Sequence, residues 1–219
     1  MNYNTVLENI SDGVLYELSD VVLVETEGCM NCSDCCHGVG EMVQLTPFDV
    51  FQLSKNLNLS SDDLFIHKLE LRETGKIKLP HLKMTGPTER CIFLNELDRC
   101  DVHAFRPNIC RLFPLGRVYL NDDFKYCLLK NVCGDRTKSS VAIEKWIDIE
   151  NYEVNKEFLL EWYRLLKALT FRLKFVRDAI ELEEINMYLR HSFYQIDGAD
   201  FYKSFFELLP IAKSKLGII

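Results

Sequence analysis

The most regular apolar pattern in the chain lies near its end, where Leu159, Trp162, Leu166, Leu169, Leu173, Val176 and Ile180 recur at alternating three- and four-residue spacing. Such a stripe predicts a bundle helix packed on its own chain, with an intermolecular coiled coil as the alternative. Phe201, Phe205, Leu208 and Leu209 predict one more helix, kinked or restarted at Pro210. Upstream, Thr46-Pro47 reads as a helix start, with Thr as the N-cap and Pro in the first turn, followed by the stripe Phe48, Phe51, Leu53 and Leu57. A second short helix is expected after Ser60 or Ser61, where Asp62 and Asp63 favour the positive end of the helix dipole, and it ends before Gly75. Ile77, Leu79 and His81 alternate as in a strand over residues 76–83, although Pro80 restricts it to an edge or a break. Gly116 to Leu120 and Phe124 to Leu128, joined by Asn121-Asp122-Asp123, predict a hairpin. Val6, Ile10, Val14 and Leu18 stand at helical spacing and predict one or two short helices, and Val21 to Val24 a short strand or helix end.

These elements imply an α+β fold that is mainly α. A cysteine-rich domain with short strands and a hairpin is expected over residues 1–138, and a C-terminal helical bundle packed on it over residues 139–219. A chain of 219 residues can bury one good core, or two small ones. Its 26 basic and 33 acidic residues give a net charge of −7 with no dense Lys/Arg stripe, which argues against nucleic acid as a partner. No apolar run reaches the roughly 20 residues that span a bilayer, and the N-terminus lacks the pattern of a signal peptide. A cytoplasmic setting with no membrane partner is the expectation. Among hydrolytic and phosphate-binding signatures, H-E-x-x-H, G-x-S-x-G and G-x-x-x-x-G-K-[ST] are absent, and Gly38-Val39-Gly40 lacks the third glycine of a dinucleotide fingerprint.

The cysteines change this picture most. Cys29-Met-Asn-Cys32-Ser-Asp-Cys35-Cys36 puts four thiols into eight residues of a polar loop. Such a loop has little to bury except an ion or cluster, and its spacing aims successive sulfurs at one centre. Adjacent side chains of extended backbone face opposite ways, so Cys35 and Cys36 are not both expected on one tetrahedral ion. In a reducing compartment nine cysteines read better as ligands than as a disulfide frame. Cys91 and Cys100 are expected to approach each other across a strand, a turn and a return. Pro107 starts a short helix on which Arg106 and Cys110 lie one turn apart, stopped by Pro114. Cys127 is the one cysteine that fits a buried small hydrophobe. The first basic residue is Lys55, so an early thiolate site needs positive charge from a metal and from Arg90, Arg99, Arg106, Arg111 or Arg117. His37 and His103 are each a possible replacement for one sulfur, with a solvent-facing role favoured for both.

The set Cys29-x2-Cys32-x2-Cys35-Cys36, Cys91 to Cys100, Arg106-Pro107-x2-Cys110-Arg111-x-Phe113-Pro114 and a late Cys-Gly resembles the YkgJ-type cysteine-cluster family, described as zinc- or iron-chelating domain proteins. The resemblance covers about residues 29–134. It implies eight clustered ligands, here Cys29, Cys32, Cys35, Cys36, Cys91, Cys100, Cys110 and Cys133, with Cys127 as the alternative to Cys133. Three cysteines in one loop and a remote Cys110 suit a [4Fe-4S] cluster, whereas two four-sulfur zinc sites would also use eight thiolates. Iron–sulfur is the favoured reading. Arg106 and Arg111 would balance its charge or hold a substrate carboxylate, the alternative being structural pairing with Asp101 or Glu96. The cluster is also similar to that of the flagellin lysine-N-methylases, which makes an iron–sulfur oxidoreductase or modifying enzyme conceivable, acting on a protein or small-molecule substrate. A zinc-stapled interaction module without catalysis is the other reading. Its C-terminal helices would serve as a partner surface or join copies of the chain.

Overall fold

The computed structural model describes residues 9–25, 32–40, 42–120, 122–133 and 138–218. The fold is α+β and mainly α, with small antiparallel strand pairs and a helical C-terminal region. Contacts divide the chain into two units. One comprises residues 1–39, 84–103 and 109–150, and the other residues 40–83, 104–108 and 151–219. This division differs from the boundary near residue 138 expected from composition, because residues 40–83 group with the late helices and residues 139–150 with the cysteines.

The cysteine-bearing unit is built from paired strands. β1 (Val21–Glu25) pairs antiparallel with β8 (Lys138–Ala142), which leads into the short helix α4 (Ile143–Ile147). The pairing explains why the unit extends past residue 138. β4 (Met84–Thr85) pairs with β5 (Arg90–Cys91), and β6 (Leu115–Leu120) with β7 (Asp123–Leu128) in the expected hairpin. Within residues 11–18 the expected helix is not formed. Tyr16 N–H donates to Tyr126 O at 2.8 Å and Tyr126 N–H returns to Tyr16 O at 2.9 Å, so this stretch runs extended beside β7. Gly13, at φ 79°, sits where a helix would need φ near −60°. Val6 lies outside the described residues.

The helical unit starts where Thr46-Pro47 said it would. α1 (Pro47–Leu57) carries a complete capping box between Thr46 and Asp49, and α2 (Ser61–His67) carries another between Ser60 and Asp63. α2 stops at His67, earlier than expected, because Leu69–Thr74 is instead strand β2, paired with β3 (Ile77–Leu82). Pro80 is tolerated in β3 because its carbonyl, not its missing N–H, is used: it accepts from Leu45 N–H at 2.8 Å. Asp49 is almost fully buried and accepts from Thr46 N–H, Thr46 Oγ1 and Asn108 N–H, each at 2.8 Å. Removing this carboxylate orphans the buried Asn108 N–H and two donors of the half-buried Thr46. Asp49→Ala is therefore expected to cost about 3 kcal/mol in denaturant unfolding; a loss within experimental error would contradict this accounting.

Three longer helices complete the unit: α5 (Tyr152–Leu173), α6 (Ala179–Phe193) and α7 (Phe201–Lys215). The apolar stripe is real but shorter than expected. It runs through Phe158, Leu159, Trp162, Leu165, Leu169 and Leu173, all buried, and ends with α5. Ile180 belongs to α6 and is 71% exposed, so it is no member of a continuous heptad. The buried face is matched by rings from within the unit, Phe158 meeting Phe205 at 4.7 Å and Trp162 meeting Phe193 at 5.2 Å between centroids. This is the bundle arrangement. α7 passes through Pro210 without a break.

Glu161 joins α5 to α7 and steadies its own helix. Its carboxylate accepts from Lys213 Nζ at 2.8 Å and from Arg164 Nη1 at 2.6 Å. Burial alone would push its carboxyl up, but these two cations outweigh it and hold the group below the usual range. A pKa lower in the folded state stabilises the fold above the ordinary carboxylate range, and the contribution is lost as pH falls through the lowered value. Glu161→Gln should lower Tm at neutral pH and flatten the acid limb of a Tm–pH profile. An acid limb that superposes on the wild type would refute the assignment.

Candidate metal centre

The early cysteines sit on a tight turn. Asp34–Cys36 forms one turn of 3₁₀ helix, closed by Cys36 N–H to Ser33 O at 2.8 Å, and Asp34 N–H points back to Cys32 Sγ at 3.4 Å. This corrects one expectation. Cys35 and Cys36 are not on extended backbone, and in a 3₁₀ turn consecutive side chains stand about 120° apart instead of opposed. Their thiols are hydrogen-bonded to each other.

Cys91 reaches the same region from β5. The strand is anchored to the turn by an antiparallel bridge between His37 and Arg90, and by Gly38 N–H donating to Glu89 O at 3.0 Å. Cys91 is buried, and the Phe93 amide donates to its sulfur, repeating the two-residue offset of Asp34 on Cys32. An amide aimed at sulfur favours the thiolate, the form that binds metal. Arg90 adds positive charge beside Cys91; it is itself held by Asp98 at 3.0 Å and by the carbonyl of Asn95.

The third contribution comes from α3 (Asn108–Leu112), which carries Cys110. Its end is fixed by Trp146 of α4, whose indole N–H donates to Leu112 O at 3.3 Å and Phe113 O at 3.2 Å, while Arg111 Nη1 donates to Asp148 O at 3.3 Å. Cys36 feels Cys35, Cys91 and Cys110 electrostatically. The Cys36 thiol is pushed well up, first by its hydrogen bond with Cys35, then by burial and by the other three sulfurs. Burial also raises Cys91. Thiols so placed cannot all ionise together unless a cation compensates them.

The remaining predicted ligands are located less tightly. Cys29 lies outside the described residues. Cys32 is half-buried beside the turn, and Cys100 is half-buried opposite Leu94 in an isolated bridge. Cys133 is half-buried and ends its described segment. Cys127 is different. It is 2% exposed, packed with Val118, Leu15, Leu120 and Leu129, and sits across from Gly116, where an added Cβ would stand 3.2 Å from its sulfur. It sits as the buried small residue expected of it, with its sulfur reached by the Gly116 amide and the Ser11 side chain. Arg106 is half-buried and belongs to the helical unit, Arg111 to the cysteine unit. His37 is half-buried in its bridge to Arg90, and His103 is exposed.

Among the described residues, no three His, Cys, Asp or Glu side chains already surround one point at ligand distance. The donors nonetheless match a thiophilic metal in kind: a hydrogen-bonded thiol pair with two further sulfurs acting on it, and backbone amides directed at Cys32 and Cys91. The residue that sequence reasoning missed is Phe93, whose contribution is a backbone amide. No sequence signal pointed to it, because Ile92-Phe93-Leu94 reads as strand whereas the structure turns at residues 92–93.

A family model described as "CxxCxxCC: Putative zinc- or iron-chelating domain" matches residues 28–134. Those residues belong to the CxxCxxCC family. The match contains the early quartet together with Cys91, Cys100, Cys110 and Cys133, so this part of the chain is a metal-chelating cysteine-cluster domain. The C-terminal helices lie beyond it. No curated protein and no solved structure matches the chain at a significant level.

Proposed function

We propose that the CxxCxxCC domain holds an iron–sulfur centre of the [4Fe-4S] type, and that the protein acts in redox or cluster-dependent modification chemistry in the cytoplasm. The observation that supports this reading is that the turn bearing Cys35 and Cys36 is bridged to the strand bearing Cys91, with the Cys91 and Cys110 sulfurs within electrostatic reach of Cys36. Cys29, Cys32, Cys100 and Cys133 are the other proposed ligands; one four-iron centre takes four thiolates, so all eight together would serve two centres. A bound four-iron centre supplies one-electron chemistry whose potential is tuned by charge and by hydrogen bonds to sulfur. The chain's own part is to deprotonate and orient these thiols. The Asp34 and Phe93 amides stabilise thiolates at Cys32 and Cys91, and Arg90 offsets negative charge beside Cys91. Arg111, one residue after Cys110, is proposed to do the same there, and Arg106 to balance charge or hold a substrate carboxylate.

Purification without oxygen, followed by a visible spectrum and metal and sulfide analysis, tests this reading. A brown protein with a broad charge-transfer band and acid-labile sulfide is the expected result. Colourless protein with stoichiometric zinc and no sulfide would replace it with a zinc-stapled module.

A further inference from the structure

The helical unit contains a groove of about 510 Å³ between α5 and β3, floored by Ile77, Leu79 and Leu166 and edged by Phe171, Lys167 and Lys174. Its walls are tied together. Asn186 accepts from Lys78 N–H at 2.7 Å and donates to Lys76 O at 3.0 Å, holding the hairpin on α6, while Lys76 Nζ donates to Leu173 O at 2.9 Å and Val176 O at 2.6 Å at the end of α5. The concavity is thus built into the fold.

Two features of the groove are unusual for this chain. None of its lining residues is acidic, although the protein has 33 acidic residues and a net charge of −7. Arg164 and Arg172 of α5 are paired with Glu161 and Glu181, whereas the exposed Lys167 and the C-cap residue Lys174 lie over the rings of Tyr163 and Phe171 at 5.9 Å and 5.7 Å. Phe171 is 62% exposed, and its neighbour Phe175, at 5.5 Å, is 70% exposed. Lys167, Phe171 and Lys174 are spaced i, i+4, i+7, and because the C-cap Lys174 keeps helical backbone angles they share one face at the end of α5, with the two lysines about 10 Å apart along the axis.

We infer that this groove docks an acidic amphipathic helix of a partner protein, its apolar residues seated on Phe171 and Leu166 and two carboxylates, one heptad apart, meeting Lys167 and Lys174. The spacing favours this occupant. Lys167 and Lys174 stand one heptad apart, the interval at which a helix repeats its charges, and the acid-free, partly apolar lining complements an acidic amphipathic partner. The inference is independent of which metal the cysteines hold.

The test uses the full chain and a fluorescently labelled helical peptide with two glutamates one heptad apart flanking Leu and Phe, beside an otherwise identical peptide with lysines for the glutamates. Saturable anisotropy is expected with the glutamate peptide, and at least about tenfold weaker binding with the lysine peptide, since like charges would face each other. Lys167→Glu/Lys174→Glu should reverse the preference, and Lys167→Gln/Lys174→Gln should weaken the glutamate peptide without recruiting the other. Equal binding of the two peptides to the wild type would overturn the inference without any variant. So would binding of dodecanoate but neither peptide, or a concentration-dependent dimer abolished by the same substitutions, which would give the groove to an acyl ligand or to a second copy.

Discussion

Cys110→Ser is expected to lose the metal and to destabilise the cysteine unit, while Cys127→Ser keeps its full metal content. The two substitutions are chemically identical, one sulfur replaced by one oxygen, and the contrast comes wholly from where each sulfur stands. Cys110 is one of the thiols acting on Cys36; Cys127 faces Val118, Leu15, Leu120 and Leu129. Metal bound by thiolates contributes on the order of 10 kcal/mol to folding in small domains, so forfeiting even part of it is severe. A loss of about 4 kcal/mol would lower Tm on the order of 10 °C in a chain of this size. Cys127→Ser instead keeps the metal stoichiometry intact and costs about 1 kcal/mol, because the Gly116 amide and the Ser11 side chain that reach the sulfur can serve the hydroxyl. Metal analysis beside thermal melts separates the two; equal metal content in both variants would refute the ligand assignment.

Phe158→Ala has the largest expected effect in the helical unit, about 3–5 kcal/mol in denaturant unfolding. Phe158 is fully buried and its ring meets four others: Phe48 at 6.3 Å, Phe201 at 5.1 Å, Tyr202 at 6.1 Å and Phe205 at 4.7 Å. Truncation removes one side of every one of these contacts and leaves a cavity that α1, α5 and α7, each a rigid helix, cannot collapse around. Phe171→Ala, on the same helix but mostly exposed, should change stability by no more than about 0.5 kcal/mol. If the two substitutions cost alike, the buried face has been assigned to the wrong side of α5.

Much of this was legible in the residues, for reasons that differ by element. Thr46-Pro47 marks the start of α1 because capping is local chemistry, decided by the side chains at the helix end. The hairpin at residues 115–128 was equally readable, since a polar turn between two short apolar runs leaves few alternatives. What failed was decided at a distance. Residues 11–18 have helical spacing, but pairing with β7 wins, and Leu69–Thr74 becomes a strand only because β3 is there to receive it. The heptad reading ran on through Val176 and Ile180 because spacing alone carries no record of the turn that ends α5.

At the metal centre, the cysteine spacing pointed to chelation, and the family match extends over the same residues. The relation of Cys35 to Cys36 was misjudged because it depends on the backbone between them: extended chain separates the two sulfurs, and the 3₁₀ turn brings them into hydrogen-bonding contact. Asp49 also escaped notice. Its partner Asn108 lies 59 residues away, and nothing in either neighbourhood announces the pairing.

Anomalous diffraction from crystals of the metal-loaded protein, recorded at the iron and zinc edges, addresses the central claim most directly. The account predicts density within about 2.3 Å of sulfurs from both the 29–36 loop and the 91–110 stretch, with the signal at the iron edge. A metal held by only one of those stretches, or sited away from Cys35, Cys36, Cys91 and Cys110, would contradict it.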